Sequence, residues 1–87
     1  MQINYKGHLL TLRESFLNYI AYEEMTGESF NPKGLKDIIN YMYCCVYAAS
    51  YDIPDVVLNW KEFIEFLDKE PEKLEEFEKW LLAERTK

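Results

Sequence analysis

The segment from Tyr41 to Ala49 is the longest apolar run in the chain, with nine consecutive apolar or aromatic residues. It is less than half as long as the stretch of about 20 residues that spans a bilayer, so we expect no transmembrane helix. A helix that is apolar on every side lies at the centre of a bundle or is shared with a partner. The run therefore predicts a helix that is covered all round, by the rest of the chain or by a partner.

The helix that contains this run is predicted over residues 32–51. Asn31 is a favourable N-cap, and Pro32 suits the first helical position. Ile53 precedes Pro54 and is pushed towards an extended conformation, which breaks the helix before it. The side chains expected to face the core recur at helical spacing and are Leu35, Ile38, Ile39, Met42, Val46 and Ala49.

Three further amphipathic segments predict helices over residues 15–26, 59–69 and 71–84. Ser15 and Asn59 are suitable N-caps. Gly27 suits the left-handed residue that ends a helix, and Pro71 suits a first helical position. The side chains expected to face the core are Leu17, Ile20, Ala21 and Met25 in the first of these helices, Trp60, Phe63, Ile64 and Leu67 in the second, and Leu74, Phe77 and Leu81 in the third.

Residues 3 to 12 follow a strand pattern instead. Apolar and polar side chains alternate in residues 3–5 and 10–12, and Lys6 with Gly7 supplies a turn between them. This pattern predicts a short β-hairpin, with a helix starting at Thr11 as the alternative, and a hairpin needs packing to be stable. Residues 1–87 are therefore predicted to form one mainly α domain, a small four-helix domain with a short N-terminal β-hairpin within residues 1–14.

The balance of charges limits the partners of this domain. The chain has 16 acidic and 10 basic side chains, which give a formal net charge of −6. Direct binding of nucleic acid depends on clustered Lys and Arg that neutralise phosphates, so we expect no nucleic-acid partner. Residues 1–6 lack a basic region followed by an apolar run, so we expect no targeting signal and no membrane association.

Cys44 and Cys45 are adjacent, which excludes an ordinary disulfide between them. Both lie inside the helical pattern, where a buried thiol acts as a small apolar side chain. The alternative is a reactive thiol, which needs a nearby histidine or helix N-terminus, and His8 is far away in sequence. Free thiols also favour a reducing, cytoplasmic location.

Enzyme active sites need residues that this chain lacks. His8 is the only imidazole, so no nucleophile with a histidine base is expected. Gly7, Gly27 and Gly34 do not have the spacing of a phosphate-binding loop. The Glu-x-x-His pairs of di-iron bundles and the ligand series of a calcium loop are also missing. We therefore predict no enzyme activity, no cofactor, no metal and no catalytic residue.

A second apolar ridge accompanies the core stripe of the central helix. Tyr43, Tyr47 and Tyr51 recur at i, i+4 and i+8, which places them on one side of a helix. They form either an aromatic edge of the core, with hydroxyls reaching water, or a binding face, because tyrosine is enriched at interfaces. The candidate protein-binding surface combines this ridge with Trp60 and Phe66, five aromatic residues in all, and Phe66 is expected to project away from the core stripe of its helix.

The order of a leading hairpin, the segment LTLR (Leu10–Arg13), a helix and the segment YEEMTGESF (Tyr22–Phe30) resembles the tail assembly chaperones of long-tailed bacteriophages. Members of that family resemble this chain in a helix that closes on Glu-Glu-x-Thr-Gly and in a central helix rich in Leu, Ala and Tyr. A break with Pro or Asp and acidic C-terminal helices follow, much as in residues 52–87. The resemblance covers nearly the whole chain and rests on one short motif and this layout.

The resemblance implies a binding protein without catalysis. Proteins of this family hold the tape-measure protein, a very long apolar helical chain, until tail-tube subunits polymerise around it. Many are made in a short form and in a frameshifted longer form whose extension recruits tube protein. The implied partners are the tape-measure protein and, for a longer form, the tail-tube protein, in the cytoplasm of the bacterial host. The resemblance leaves open whether the chain forms a homo-oligomer.

Two other functions are compatible with the same residues. One is a generic α-helical interaction or regulatory module, of a phage or a bacterium, that blocks a host protein. The other is an acidic mimic of nucleic acid that occupies a basic site. A very long helical reading frame beside the gene favours the chaperone, and a cluster of regulators favours the other two.

Overall fold

Two strands and four helices make up residues 1–86, which are the residues that the computed structural model of this protein describes. The elements are β1 (Gln2–Tyr5), β2 (His8–Thr11), α1 (Phe16–Thr26), α2 (Leu35–Ala49), α3 (Trp60–Lys69) and α4 (Pro71–Arg85). The mainly α architecture with an N-terminal hairpin agrees with the sequence prediction. None of the helices in this range is long and apolar enough to cross a membrane.

The hairpin pairs β1 with β2 in antiparallel register, with Ile3 opposite Leu10. Lys6 and Gly7 both have positive φ angles, 50° and 80°, the conformation that suits the twist of a two-residue hairpin turn. The alternative prediction, a helix starting at Thr11, is wrong because Thr11 ends β2. The hairpin packs through the ring of Tyr5, which meets Phe66 of α3 edge-on at 5.1 Å between centroids.

Aromatic rings surround the centre of α2. Tyr41 is completely buried, and the ring of Phe30 stacks on it with centroids 4.1 Å apart and planes 11° from parallel. Tyr19 and Tyr22 of α1 and Phe77 of α4 complete the Tyr41 ring cluster, with centroids between 5.3 and 6.3 Å from that of Tyr41. The side of α2 that carries Tyr41 is therefore covered by α1, α4 and the connection that carries Phe30, while Tyr47 on another side stays 40% exposed.

The bounds of α2 differ from the predicted 32–51 at both ends. Gly34 is the N-cap, and the Asp37 carboxylate accepts the Lys33 N–H at 2.8 Å, so the helix begins at Leu35 and not at Pro32. Leu35 was expected in the core but is exposed. At the other end, the Ser50 hydroxyl donates to the Val46 carbonyl at 2.8 Å as the helix closes. Asn31, Pro32 and Tyr51 therefore lie in the connections on either side of α2.

The inward face of α1 is not the predicted one. Asn18 and Tyr22 are buried, whereas Ile20 is 51% and Met25 is 43% exposed. The Asn18 amide is satisfied inside because it donates to the Arg13 carbonyl at 2.6 Å and accepts from the Ser15 hydroxyl at 3.0 Å. The ring of Tyr22 joins the Tyr41 ring cluster. Hydrogen bonding and ring packing therefore turn the aliphatic stripe of α1 towards the surface.

We expect the stability of this protein to fall as the pH rises above about 9. Burial raises the pKa of the Cys44 thiol from 9.0 to about 11 and also raises the pKa values of Cys45 and Tyr41. The folded state keeps protons that the unfolded state loses, so the free energy of unfolding decreases with pH between the unfolded and folded pKa values. Urea unfolding at pH 7.5 and pH 10.5 should give a lower midpoint at the higher pH.

The Cys44→Ala/Cys45→Ala double variant is the matched control, because it removes the two thiols and leaves the tyrosines. It should lose less of its midpoint over the same pH interval than the parent protein does. Equal losses in the two proteins would mean that neither thiol contributes to the alkaline sensitivity.

The orientation of α1 predicts a small loss of stability for a substitution at Ile20 and a large one for a substitution at Tyr22. Ile20→Gln should lower the free energy of unfolding by about 1 kcal/mol or less, because half of the side chain is already in water. Tyr22→Ala should cost about 3 kcal/mol or more, because it empties space inside the ring cluster. Chemical denaturation of both variants measures the difference, and a larger loss for Ile20→Gln would contradict the observed face.

Candidate protein-binding groove

α1 and α2 run antiparallel, with the start of α1 beside the end of α2. Ser15 lines one cavity together with Ala49, and Thr26 lines another together with Asp37. A connection of eight residues, 27–34, joins the two helices. Because α1 turns Asn18 and Tyr22 inward, the apolar edge that carries Ala21 and Met25 faces a hollow between the two helices.

This hollow, the α1–α2 groove, has a volume of about 330 Å³ and is lined by Ala21, Glu24, Met25, Tyr43, Cys44 and Tyr47. The Cys44 sulfur lies 3.9 Å from the Met25 sulfur and forms part of the groove wall. Cys44 is buried, and its raised pKa keeps the thiol protonated at neutral pH. These facts favour the structural interpretation of this thiol over the reactive one.

Two further hollows continue the groove. The tyrosine hollow, of about 360 Å³, shares Tyr43 and Tyr47 with it and extends to Tyr51 and Pro54 in the connection after α2. The Asn40 cavity, of about 520 Å³, shares Met25 with it and extends to Trp60. Shared lining residues therefore join the three spaces into one surface that follows α2 from Asn40 to Tyr47 and ends at Tyr51 in the next connection.

Three of the five aromatic residues predicted for the binding surface are substantially exposed here. Tyr47 is 40%, Tyr51 is 62% and Trp60 is 38% exposed. Tyr51 lies beyond the end of α2, yet its ring still meets that of Tyr47 edge-on at 5.8 Å. Tyr43 is half-buried and its ring packs edge-on against Trp60 at 5.5 Å, so it is both an edge of the core and a wall of the groove.

Phe66 is the one predicted residue that the structure places elsewhere. It is half-buried between the hairpin and α3, with its ring 5.1 Å from Tyr5 and 6.1 Å from Phe63. It lines none of the three hollows. The helical spacing pointed Phe66 away from the stripe of α3, and the hairpin covers that side.

Met25 belongs to the groove, although the sequence pattern predicted it in the core. Its side chain is 43% exposed and lines both the α1–α2 groove and the Asn40 cavity. A flexible, polarizable methionine adapts to different partner surfaces. The only sequence signal for this position was its place in an apolar stripe, which does not distinguish a core face from an uncovered one.

Carboxylates dominate the charges around this surface. Glu24 lines the α1–α2 groove, and Glu28 lines the Asn40 cavity. Neither forms an ion pair with another residue in the described range 1–86. Asp52 and Asp55 flank the segment of the tyrosine hollow that contains Pro54. The surface is therefore apolar at its centre and acidic at its rim, which favours a partner with basic flanks.

Across residues 1–86, no group of three or more His, Cys, Asp or Glu side chains is arranged to hold a metal ion. Binding of an apolar chain segment is the chemistry that the groove offers. No protein-family model, curated protein or solved structure matches this chain.

Proposed function

We propose that this protein is a non-catalytic binding protein that holds an amphipathic helix of a client in the α1–α2 groove. The observation that carries the proposal is the uncovered apolar face of α1, which adjoins the exposed rings of Tyr47 and Tyr51. Amphipathic helices bind such grooves through apolar anchors at i, i+3, i+4 and i+7. The longest dimension of the molecule is 30 Å, about the length of a 20-residue helix.

The client that we propose is the tape-measure protein of a long-tailed bacteriophage. The resemblance of residues 10–13 and 22–30 to tail assembly chaperones supports this choice. A long apolar helical chain also exposes apolar surface to water until a binding protein buries it. In this function the protein acts in the cytoplasm of the bacterial host and hands its client to the assembling tail tube. The acidic rim keeps the chaperone in solution and attracts basic flanks of the client.

Tyr47→Ala should weaken binding of an amphipathic tape-measure fragment by about 1–3 kcal/mol, as truncation of a central interface aromatic commonly does. The ring is 40% exposed and its removal leaves the Tyr41 ring cluster intact, so the variant should remain folded. Calorimetric titration of the fragment measures the affinity, and circular dichroism checks the fold. Wild-type affinity in a folded Tyr47→Ala variant would contradict the proposed groove.

Leu82→Ala is the matched control, because Leu82 is also exposed and apolar but lines none of the three hollows. Its affinity for the fragment should equal that of the parent. Glu24→Gln with Asp55→Asn should mainly slow association and reduce its salt dependence. If these charge changes abolish binding to a basic DNA-binding protein while Tyr47→Ala has no effect on either partner, the protein is an acidic mimic and not a chaperone.

A further inference from the structure

The Asn40 cavity is lined by an amide that no other side chain or backbone group pairs. Asn40 is 7% exposed, lines the cavity, and its side chain makes no hydrogen bond to any residue in the range 1–86. Its amide atoms are not sealed from solvent, so water entering the cavity can hydrogen-bond them in the free protein. An amide that lines an open cavity and has no protein partner is available to hydrogen-bond a ligand there.

Aromatic side chains form two walls of the same cavity. Trp60 is held in place by its edge contact with the Tyr43 ring at 5.5 Å and still exposes 38% of its surface. Tyr22 lines the cavity from the side of α1. The face of an indole ring attracts cations more strongly than any other side-chain ring does. The walls therefore suit a flat or cationic group.

The charges that line the cavity are unequal in sign. Glu28 and Asp37 contribute two carboxylates, and Lys36 contributes one ammonium group. Burial raises the pKa of the Tyr22 hydroxyl, and the carboxylates of Asp37 and Glu28 raise it further. With two carboxylates against one ammonium group, the lining carries a net negative charge and favours a cationic ligand.

We propose that the Asn40 cavity binds an arginine side chain of the helix that occupies the neighbouring α1–α2 groove. The guanidinium would stack on Trp60, donate to the Asn40 amide oxygen and pair with the Glu28 carboxylate. Arginine fits better than lysine, because its guanidinium is planar, stacks on rings and offers five donors in a fixed fork. Met25 lines both spaces, so one bound helix can fill the groove and place an arginine in the cavity.

This inference rests on the proposed function for the identity of the partner, and the site itself has a direct test. Titration of the parent protein with N-acetylarginine amide should give saturable NMR shifts at the Trp60 indole N–H and at the Asn40 side-chain amide. N-acetylcitrulline amide, which has the same shape without the charge, should bind at least about tenfold more weakly. Equal binding of the two compounds, or no shift at Trp60, would overturn the proposal.

Two variants separate the site from the fold. Asn40→Leu keeps the side-chain volume and removes the amide, so it should remain folded and weaken N-acetylarginine amide binding by about tenfold. Glu28 is exposed, so the Glu28→Gln variant should also remain folded. It should weaken N-acetylarginine amide binding as well. Unchanged binding in both folded variants would overturn the site. Shifts at Trp60 with adenosine monophosphate but not with the arginine compound would assign the cavity to a nucleotide instead.

A helical peptide of the tape-measure protein distinguishes failure of this site from failure of the proposed function. We expect the peptide to lose affinity in Tyr47→Ala and in Asn40→Leu, and also when its arginine is replaced by citrulline. If the peptide loses affinity only in Tyr47→Ala, the groove is supported and the arginine site is overturned. Independence from Tyr47 would overturn the groove, while the arginine compound still reports on the cavity.

Discussion

The stack of Phe30 on Tyr41 is the contact on which the arrangement of the helices depends. Tyr41 lies at the centre of α2, and Phe30 comes from the connection between α1 and α2, with ring centroids 4.1 Å apart. Tyr22 brings α1 to the same cluster and Phe77 brings α4. The guanidinium of Arg85 at the end of α4 lies 5.3 Å from the centre of the Phe30 ring. One aromatic cluster therefore joins two helices and a loop to the central helix.

The position of this cluster decides which apolar side chains of α1 reach the surface. Because Tyr22 turns inward to meet Tyr41, Ile20 and Met25 turn outward, and Met25 lies beside Tyr47 in the α1–α2 groove. Met25, which its apolar stripe placed in the core, therefore forms part of a groove wall. Carboxylates lie at the rim of this apolar surface, and in the proposed function these charges guide a basic helix while the rings hold it.

Local chemistry made much of the fold predictable. Lys6 and Gly7 adopt the positive φ angles that a two-residue turn demands, and the alternation of apolar residues puts the right face of the hairpin on the core. The Ser15 and Asn59 side chains accept N–H groups of α1 and α3, respectively. Gly27 ends α1 in the left-handed conformation. Each of these features involves residues only a few positions apart, so the sequence pattern is sufficient to locate it.

The sequence by itself determined the elements, the central place of α2 and the aromatic character of the candidate surface, whereas the tertiary structure decided which faces are covered. An apolar stripe has the same spacing whether it is buried or open, so Met25 was expected in the core and Phe66 on the surface. Their places depend on rings that arrive from distant parts of the chain, such as Phe30 on Tyr41. No sequence pattern singled out Asn40 as a candidate site residue. Its cavity forms only when α1, α2 and α3 pack together, so only the tertiary structure shows it.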